Sequence, residues 1–347
     1  MTTIAWKHIF QQLNRDIIGK DSYRGVTLTY AWLANQFGHF SLGFIPTILL
    51  YNILAPKMPN AEYWATFSVW AVWILFEIYN FLKPLIFHKV SKRKALGTGD
   101  YTFQPAWLNV AFDTVTDLVY FGMGALFAGL ICKFNTEMLI GLLILLTAVA
   151  YPAYYWYTTK MFIQNAEFPF QLRLSQWNQN IKEINKSSVL DFLTHKEEGI
   201  HVLMFGSKGS GKTTLAVAMA TESSIKNHCC SYVTAVKLMS MFFEKPNHEE
   251  EFARYLWSWR TCNMLVIDDI NPGKPVKSDI INTDLFYELL NNEHNGALNI
   301  EHIKNKSIIW VMGSDDPTNQ LEDKWKSLLI QIGIDRSNIK VIDLDEE

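Results

Sequence analysis

HVLMFGSKGSGKTTLAVAMA, residues 201–220, holds the most decisive stretch of the chain. His201–Phe205 is an apolar run of strand length, and Thr213–Ala220 has the character of a helix. Between them, Gly206-Ser207-Lys208-Gly209-Ser210-Gly211-Lys212-Thr213 fits the pattern G-x-x-x-x-G-K-[ST], with Thr214 completing the turn into the helix. Glycines let successive backbone N–H groups curl around phosphate oxygens, and the helix that follows presents its positive end to the same anion. In such a loop Lys212 reaches the β- and γ-phosphates and the Thr213 hydroxyl holds Mg²⁺. A strand before and a helix after are the context that the pattern requires.

Downstream, apolar runs alternate with helical stretches. Strands are expected at Ser231–Val236, Met264–Ile267, Ser307–Met312 and Asn338–Leu344, with helices at Glu249–Trp259, Asp284–Asn292 and Leu321–Ile332. With the first strand this makes five strands in a parallel sheet, with helices on both faces. Leu265-Val266-Ile267-Asp268-Asp269 is an apolar strand ending in two acids. At the carboxyl edge of a parallel sheet, Asp268 would position Mg²⁺ and Asp269 would orient or deprotonate an attacking water. The strand Ser307–Met312 runs into Gly313-Ser314-Asp315, where Ser314 and Asp315 can sense a γ-phosphate or form a turn before Pro317. Arg336, just before the last strand, can complete a neighbouring subunit's site as an arginine finger, or sit on the surface in water.

From Val202 to Asp345 the chain resembles the AAA+ ATPases, most closely the DnaC/IstB-like branch. The carrying residues are the loop Gly206–Thr213, the double acid Asp268-Asp269 and the polar strand end Ser314-Asp315. The resemblance implies ATP and Mg²⁺ as ligands, ATP hydrolysis as the activity and a homo-oligomer as the working form. It departs from the AAA+ pattern in two ways. The residues after the fifth strand are too few for a C-terminal helical lid, and a long apolar region precedes the domain. Guanine specificity has no support, because Asn305-Lys306 is followed by Ser307-Ile308 rather than by x-Asp, and no L-S-G-G-Q segment is present.

That apolar region sets the rest of the architecture. Residues 1–160 hold 12 Lys/Arg and 8 Asp/Glu, against 19 and 26 in residues 161–347. Gly25–Pro56 contains no formal charge across 32 positions, and about 20 apolar residues suffice to cross a bilayer. Four spans are expected, at about 37–54, 63–82, 112–132 and 138–157, with Pro46 kinking the first. Segment 1–24 carries Lys7, Arg15, Lys20 and Arg24, and segment 83–105 carries Lys83, Lys89, Lys92, Arg93 and Lys94. The alternate loops hold only Lys57 with Glu62 and Lys133 with Glu137. The excess of basic residues places both termini on the cytoplasmic side.

Glu77, Asp113 and Asp117 lie in or beside spans, where an acid marks either the interface or an ion path. Gly124-x-x-x-Ala128 and Ala125-x-x-x-Gly129 suit close helix packing, within the bundle or between subunits. Cys132, Cys229, Cys230 and Cys262 read as reduced thiols rather than a metal set.

The expected architecture is α plus α/β. A transmembrane four-helix bundle (1–160) and a juxtamembrane connector (161–199) precede a P-loop NTPase domain (200–347) with a five-stranded parallel sheet and no C-terminal lid. The expected function is that of a multi-pass, membrane-anchored ATP hydrolase on the cytoplasmic face, acting on a protein or nucleic-acid client. The alternatives are an ATP-driven transport or secretion component and a nucleotide-sensing signalling protein. The net charge of −7 in residues 161–347 opposes strong sequence-independent nucleic-acid binding. A local patch of Lys274, Lys277, Lys304 and Lys306 is the exception to consider.

Overall fold

A computed structural model describes residues 3–18, 26–87, 101–177, 179–194, 199–244, 256–270, 281–312 and 320–345. The chain divides into two compact units. One comprises Ile9–Tyr101 and Pro105–Lys160, the other Met1–His8, Thr102–Gln104 and Met161–Glu347.

In the first unit the apolar runs become four long helices, α2 (Leu28–Leu54), α3 (Ala61–Phe87), α4 (Trp107–Cys132) and α5 (Thr136–Asn165), preceded by a shorter α1 (Trp6–Ile17); the first three residues of α1 and the last five of α5 are counted with the second unit. All four are long and apolar enough to cross a membrane. They contain 27, 27, 26 and 30 residues, or roughly 40–45 Å at 1.5 Å per residue. That matches a bilayer with its headgroup layers. Phe37, Ile45, Leu49, Leu75, Leu143 and Ile144 are exposed on their outer faces. Pro46 lies inside α2 and Pro152 inside α5.

The small residues of α4 pack inside this unit. A Cβ added at Gly124 would lie 1.9 Å from the Phe40 carbonyl oxygen, and one at Gly43 would lie 2.1 Å from that of Phe121. Two backbones therefore touch at this crossing. Trp70 and Trp73 donate indole N–H bonds to the Leu118 and Leu42 carbonyls, at 3.1 and 2.9 Å. At one end of the bundle Lys133 pairs with Glu62 at 2.8 Å, and the Tyr63 hydroxyl donates to Glu137 at 2.9 Å. Those contacts join the α2–α3 turn to the α4–α5 turn. Glu77 is buried, Asp113 is exposed, and Asp117 lies 3.5 Å from His39.

The second unit is built on β1 (His201–Phe205), β2 (Cys230–Thr234), β3 (Met264–Ile270), β4 (Ser307–Met312) and β5 (Ile339–Asp343). They form one sheet in the order β2-β3-β4-β1-β5, with every pairing parallel. The helices are α6 (Glu183–Thr194), α7 (Lys212–Ile225), α8 (Ala235–Met241), α9 (Thr283–Leu290), α10 (Gly296–Lys304) and α11 (Gln320–Gln331). One face of the sheet buries Leu215, Ala216 and Met219 of α7 against Val202, Met204, Val266 and Ile309. An aromatic group fills another part of the core, with Phe286, Trp310 and Trp325 packed at ring separations of 5.5–5.6 Å. The inner strands β1, β3 and β4 are buried almost throughout and are mostly apolar runs, as a doubly covered parallel sheet requires, whereas the edge strands β2 and β5 are only partly buried.

Several elements depart from the sequence reading. The second strand ends at Thr234, and Ala235 and Val236 begin α8, because the Thr234 hydroxyl accepts from the Lys237 N–H and caps a helix. Residues 161–199 carry α6 and a 3₁₀ turn at Leu174–Gln176, and Ala166, Leu174, Trp177, Val189 and Phe192 belong to the core of this unit. Helix α10 stands where no element was expected. Its buried Asn299 donates to the Phe242 and Leu290 carbonyls, a polar side chain serving as a packing bracket. Of the expected helix Glu249–Trp259, residues 249–255 lie outside the described residues, and Leu256–Trp259 is irregular.

Candidate nucleotide-binding site

The loop after β1 is shaped by its glycines. Gly206, Gly209 and Gly211 have φ of +148°, +91° and +90°, values that side-chain-bearing residues rarely adopt. A Cβ on Gly206 would lie 2.5 Å from the Ser210 hydroxyl. Lys212 opens α7 and folds back over the loop, donating to the Gly206 and Ser207 carbonyls at 2.5 and 2.7 Å. Ser207 and Lys208 are exposed. The Thr214 hydroxyl donates to the Gly211 carbonyl at 2.7 Å.

Across the sheet, β4 separates β1 from β3. Because all strands are parallel, the ends of β1 and β3 emerge at the same edge. There the Thr213 hydroxyl meets Asp268 Oδ1 at 3.2 Å. Asp268 is 2 % exposed and accepts a second bond, at 2.6 Å, from the Tyr232 hydroxyl. Burial, then the Asp268 carboxylate, raises the Tyr232 pKa, so the phenol keeps the proton that it donates. Asp269 is exposed and left-handed at φ 58°. Partial desolvation, then the Asp268 charge, raises its carboxyl above the ordinary range.

The residues present fit a nucleotide with its metal. The Ser210 hydroxyl is buried with no hydrogen-bond partner among the described residues, and the left-handed glycines leave room for an anion beside the first turn of α7. Thr213 and Asp268 are hard oxygen donors, suited to magnesium completed by phosphate oxygens and water. No cluster of three or more His, Cys, Asp or Glu able to hold a metal occurs among the described residues.

Three supporting residues were not anticipated. The Trp177 indole donates to the Gly211 carbonyl at 3.2 Å, the Ser207 hydroxyl donates to Asp345 Oδ1 at 2.7 Å, and Tyr232 braces Asp268. Trp177 stood in what read as a connector. Tyr232 was legible only as a strand residue, although the register Thr234↔Asp268 puts it two positions from the acid's partner. Ser314 and Asp315 lie outside the described residues.

Arg336 is exposed in a 3₁₀ turn before β5. Since His201 pairs with Ile339 and Phe205 with Asp343, Arg336 sits at the amino edge of the sheet. The loop is at the other edge, a five-residue strand away, or roughly 15 Å, so Arg336 does not join this subunit's own site. Of the lysine patch, Lys304 is exposed and Lys306 drops out. Lys306 is 4 % exposed, with its ammonium donating to the Trp259 and Arg260 carbonyls, so it is structural. Lys274 and Lys277 lie outside the described residues.

A model of the family described as IstB-like ATP binding protein matches residues 158–298. The match takes in the loop, Tyr232 and the Asp268-Asp269 pair, and supports nucleotide binding. It also begins upstream of Trp177, in the segment whose side chains join the core of the second unit. Among curated proteins, none matches the chain.

Proposed function

We propose that the chain is a membrane-anchored ATPase. Its second unit binds and hydrolyses Mg²⁺-ATP on the cytoplasmic side and uses the cycle to assemble or remodel a protein or nucleic-acid client. The observation that carries the reading is the pairing of Thr213 with Asp268 across the carboxyl edge of the sheet, beside a phosphate-shaped loop. Lys212 binds and orients the terminal phosphates, and bound magnesium supplies charge neutralisation between them. Thr213 and Asp268 hold the metal's place, and Asp269 takes the proton of the attacking water. Four helices of membrane length support anchoring. The ion pair Lys133–Glu62 supports a single end for the two short external turns. That arrangement leaves both termini, and the ATP, inside.

The exposed position of Arg336 at the edge opposite the loop supports a homo-oligomer in which a neighbour completes each site. ATP-driven transport is the second reading, favoured by the buried Glu77 and the His39–Asp117 contact among the long helices. The test of the first reading is Asp269→Asn. ATP affinity should be kept while turnover falls about 10²–10⁴-fold, as expected for loss of a positioned base. Turnover at the wild-type rate would remove Asp269 from the mechanism.

A further inference from the structure

The buried side of helix α1 carries Ile9 together with two polar residues, Gln12 and Asp16. Gln12 and Asp16 are 9 % and 6 % exposed. The Asp16 carboxylate accepts from Gln12 Nε2 at 2.9 Å, the Thr27 hydroxyl at 2.9 Å and the Tyr157 hydroxyl at 2.8 Å. Gln12 also donates to the Thr29 hydroxyl at 3.1 Å. These bonds fix the helix against the start of α2, where Thr27 is the N-cap, and against the end of the expected fourth span. Helices as long as a bilayer with its headgroups end in the headgroup layer, so these bonds fasten α1 at that depth.

The apolar side of α1 faces outward. Trp6, Phe10, Leu13 and Ile17 recur at the i, i+4, i+7, i+11 spacing of one helix face. Trp6 and Phe10 are each 62 % exposed and Ile17 is 71 % exposed. Lys7 is exposed beside the stripe and Arg15 on the side of the helix away from it, and the one acid of the helix, Asp16, is turned in. A helix folded for water would bury the stripe and expose Gln12 and Asp16. This one does the reverse, and its three hydrogen bonds to Asp16 lock that choice.

We propose that α1 lies in the plane of the inner leaflet of the bilayer, with Trp6, Phe10 and Ile17 inserted at the acyl boundary, Lys7 at their rim against acidic lipid headgroups and Arg15 on the water-facing side. Trp is favoured at this depth, and a basic rim beside an apolar stripe is what binds an acidic lipid surface. This rests on the membrane reading above, and the test separates the two.

The test is nitroxide labelling of the full chain in liposomes, with single cysteines introduced by Phe10→Cys, Ile17→Cys, Gln11→Cys and Leu143→Cys. The native Cys229, Cys230 and Cys262 are buried and Cys132 partly so, and labelled wild type serves as background. Collisions with oxygen report lipid, and collisions with a nickel chelate report water. We expect the labels at positions 10 and 17 to favour oxygen in vesicles containing phosphatidylglycerol. The label at Gln11, one residue and about 100° further round the helix, should favour nickel. Protection at position 10 should weaken in pure phosphatidylcholine. Nickel access at 10 and 17 equal to that at 11, with Leu143→Cys protected, overturns the proposal while sparing the spans. Nickel access at Leu143→Cys sinks the membrane reading itself. Protection at 10 that vanishes on dilution in lipid assigns the stripe to a second copy and overturns the proposal. Equal protection in neutral vesicles overturns its electrostatic half.

Discussion

Trp177→Phe probes how the core of the second unit shapes its phosphate loop. The indole N–H donates to the Gly211 carbonyl at 3.2 Å, while the ring lies buried, 2 % exposed, 5.9 Å from the ring of Phe103. Phenylalanine keeps most of the ring and removes the donor. A neutral hydrogen bond contributes about 0.5–1.5 kcal/mol net. The Gly211 carbonyl also accepts from the Thr214 hydroxyl at 2.7 Å and the Leu215 N–H at 2.9 Å, so the loss belongs at the low end, about 0.5–1 kcal/mol. If the bond holds the loop in its binding shape, ATP affinity falls roughly two- to fivefold. Calorimetric titration with a non-hydrolysed ATP analogue would measure it. Adding Thr214→Val should weaken binding by more than the sum of the single effects, because both donors serve one oxygen. Unchanged affinity in Trp177→Phe, with effects that merely add, would refute the reasoning and leave Trp177 a core residue alone. Trp177→Ala is a poorer probe, since emptying so large a buried site costs about 3–5 kcal/mol of stability and blurs the readout.

Two further outcomes follow from the geometry. Arg336→Ala should bind ATP almost normally and hydrolyse it poorly, and mixing it with Lys212→Ala subunits should restore part of the activity, since one mixed interface has both groups intact; normal turnover by Arg336→Ala would refute the shared site. His201 is buried in β1 and accepts from the Trp310 indole at 3.1 Å, and burial pushes its pKa from 6.5 down to about 3. Below pH 6.5 the unfolded chain binds a proton that the folded chain refuses, so stability falls by up to about 1.4 kcal/mol per pH unit as pH drops towards 3. Thermal unfolding of His201→Gln should show a shallower loss over that window, and an equal slope would contradict the assignment.

The strands were legible where burial is complete. His201–Phe205 and Ser307–Met312 sit in a sheet covered on both faces, so their sequences are unbroken apolar runs with matching bounds. Legibility failed where polar groups do structural work. Lys306 read as part of a surface patch and Asn299 carried no signal at all, yet each spends its donors on carbonyls inside the fold. Helix α6 and Trp177 looked like a linker because their apolar residues are sparse, and the surface they pack on comes from β5, α7 and Phe103, distant in sequence. Helix α1 showed only its basic residues, since four apolar positions at helical spacing are too few to form an apolar run. At the site, the loop and Asp268 announce themselves through residue order. Tyr232 and Asp345 reach it through strand register, which no local pattern encodes.

A cytoplasmic, P-loop-dependent ATPase built into a membrane chain has a direct signature in sealed vesicles. ATP, which does not cross a bilayer, is added to sealed vesicles of defined orientation that carry the full chain or its Lys212→Ala variant, and phosphate release is followed. Mg²⁺-dependent release is expected from inside-out vesicles, little from right-side-out vesicles until they are permeabilised, and none above background for Lys212→Ala. Release by intact right-side-out vesicles, or wild-type rates from Lys212→Ala, would contradict it.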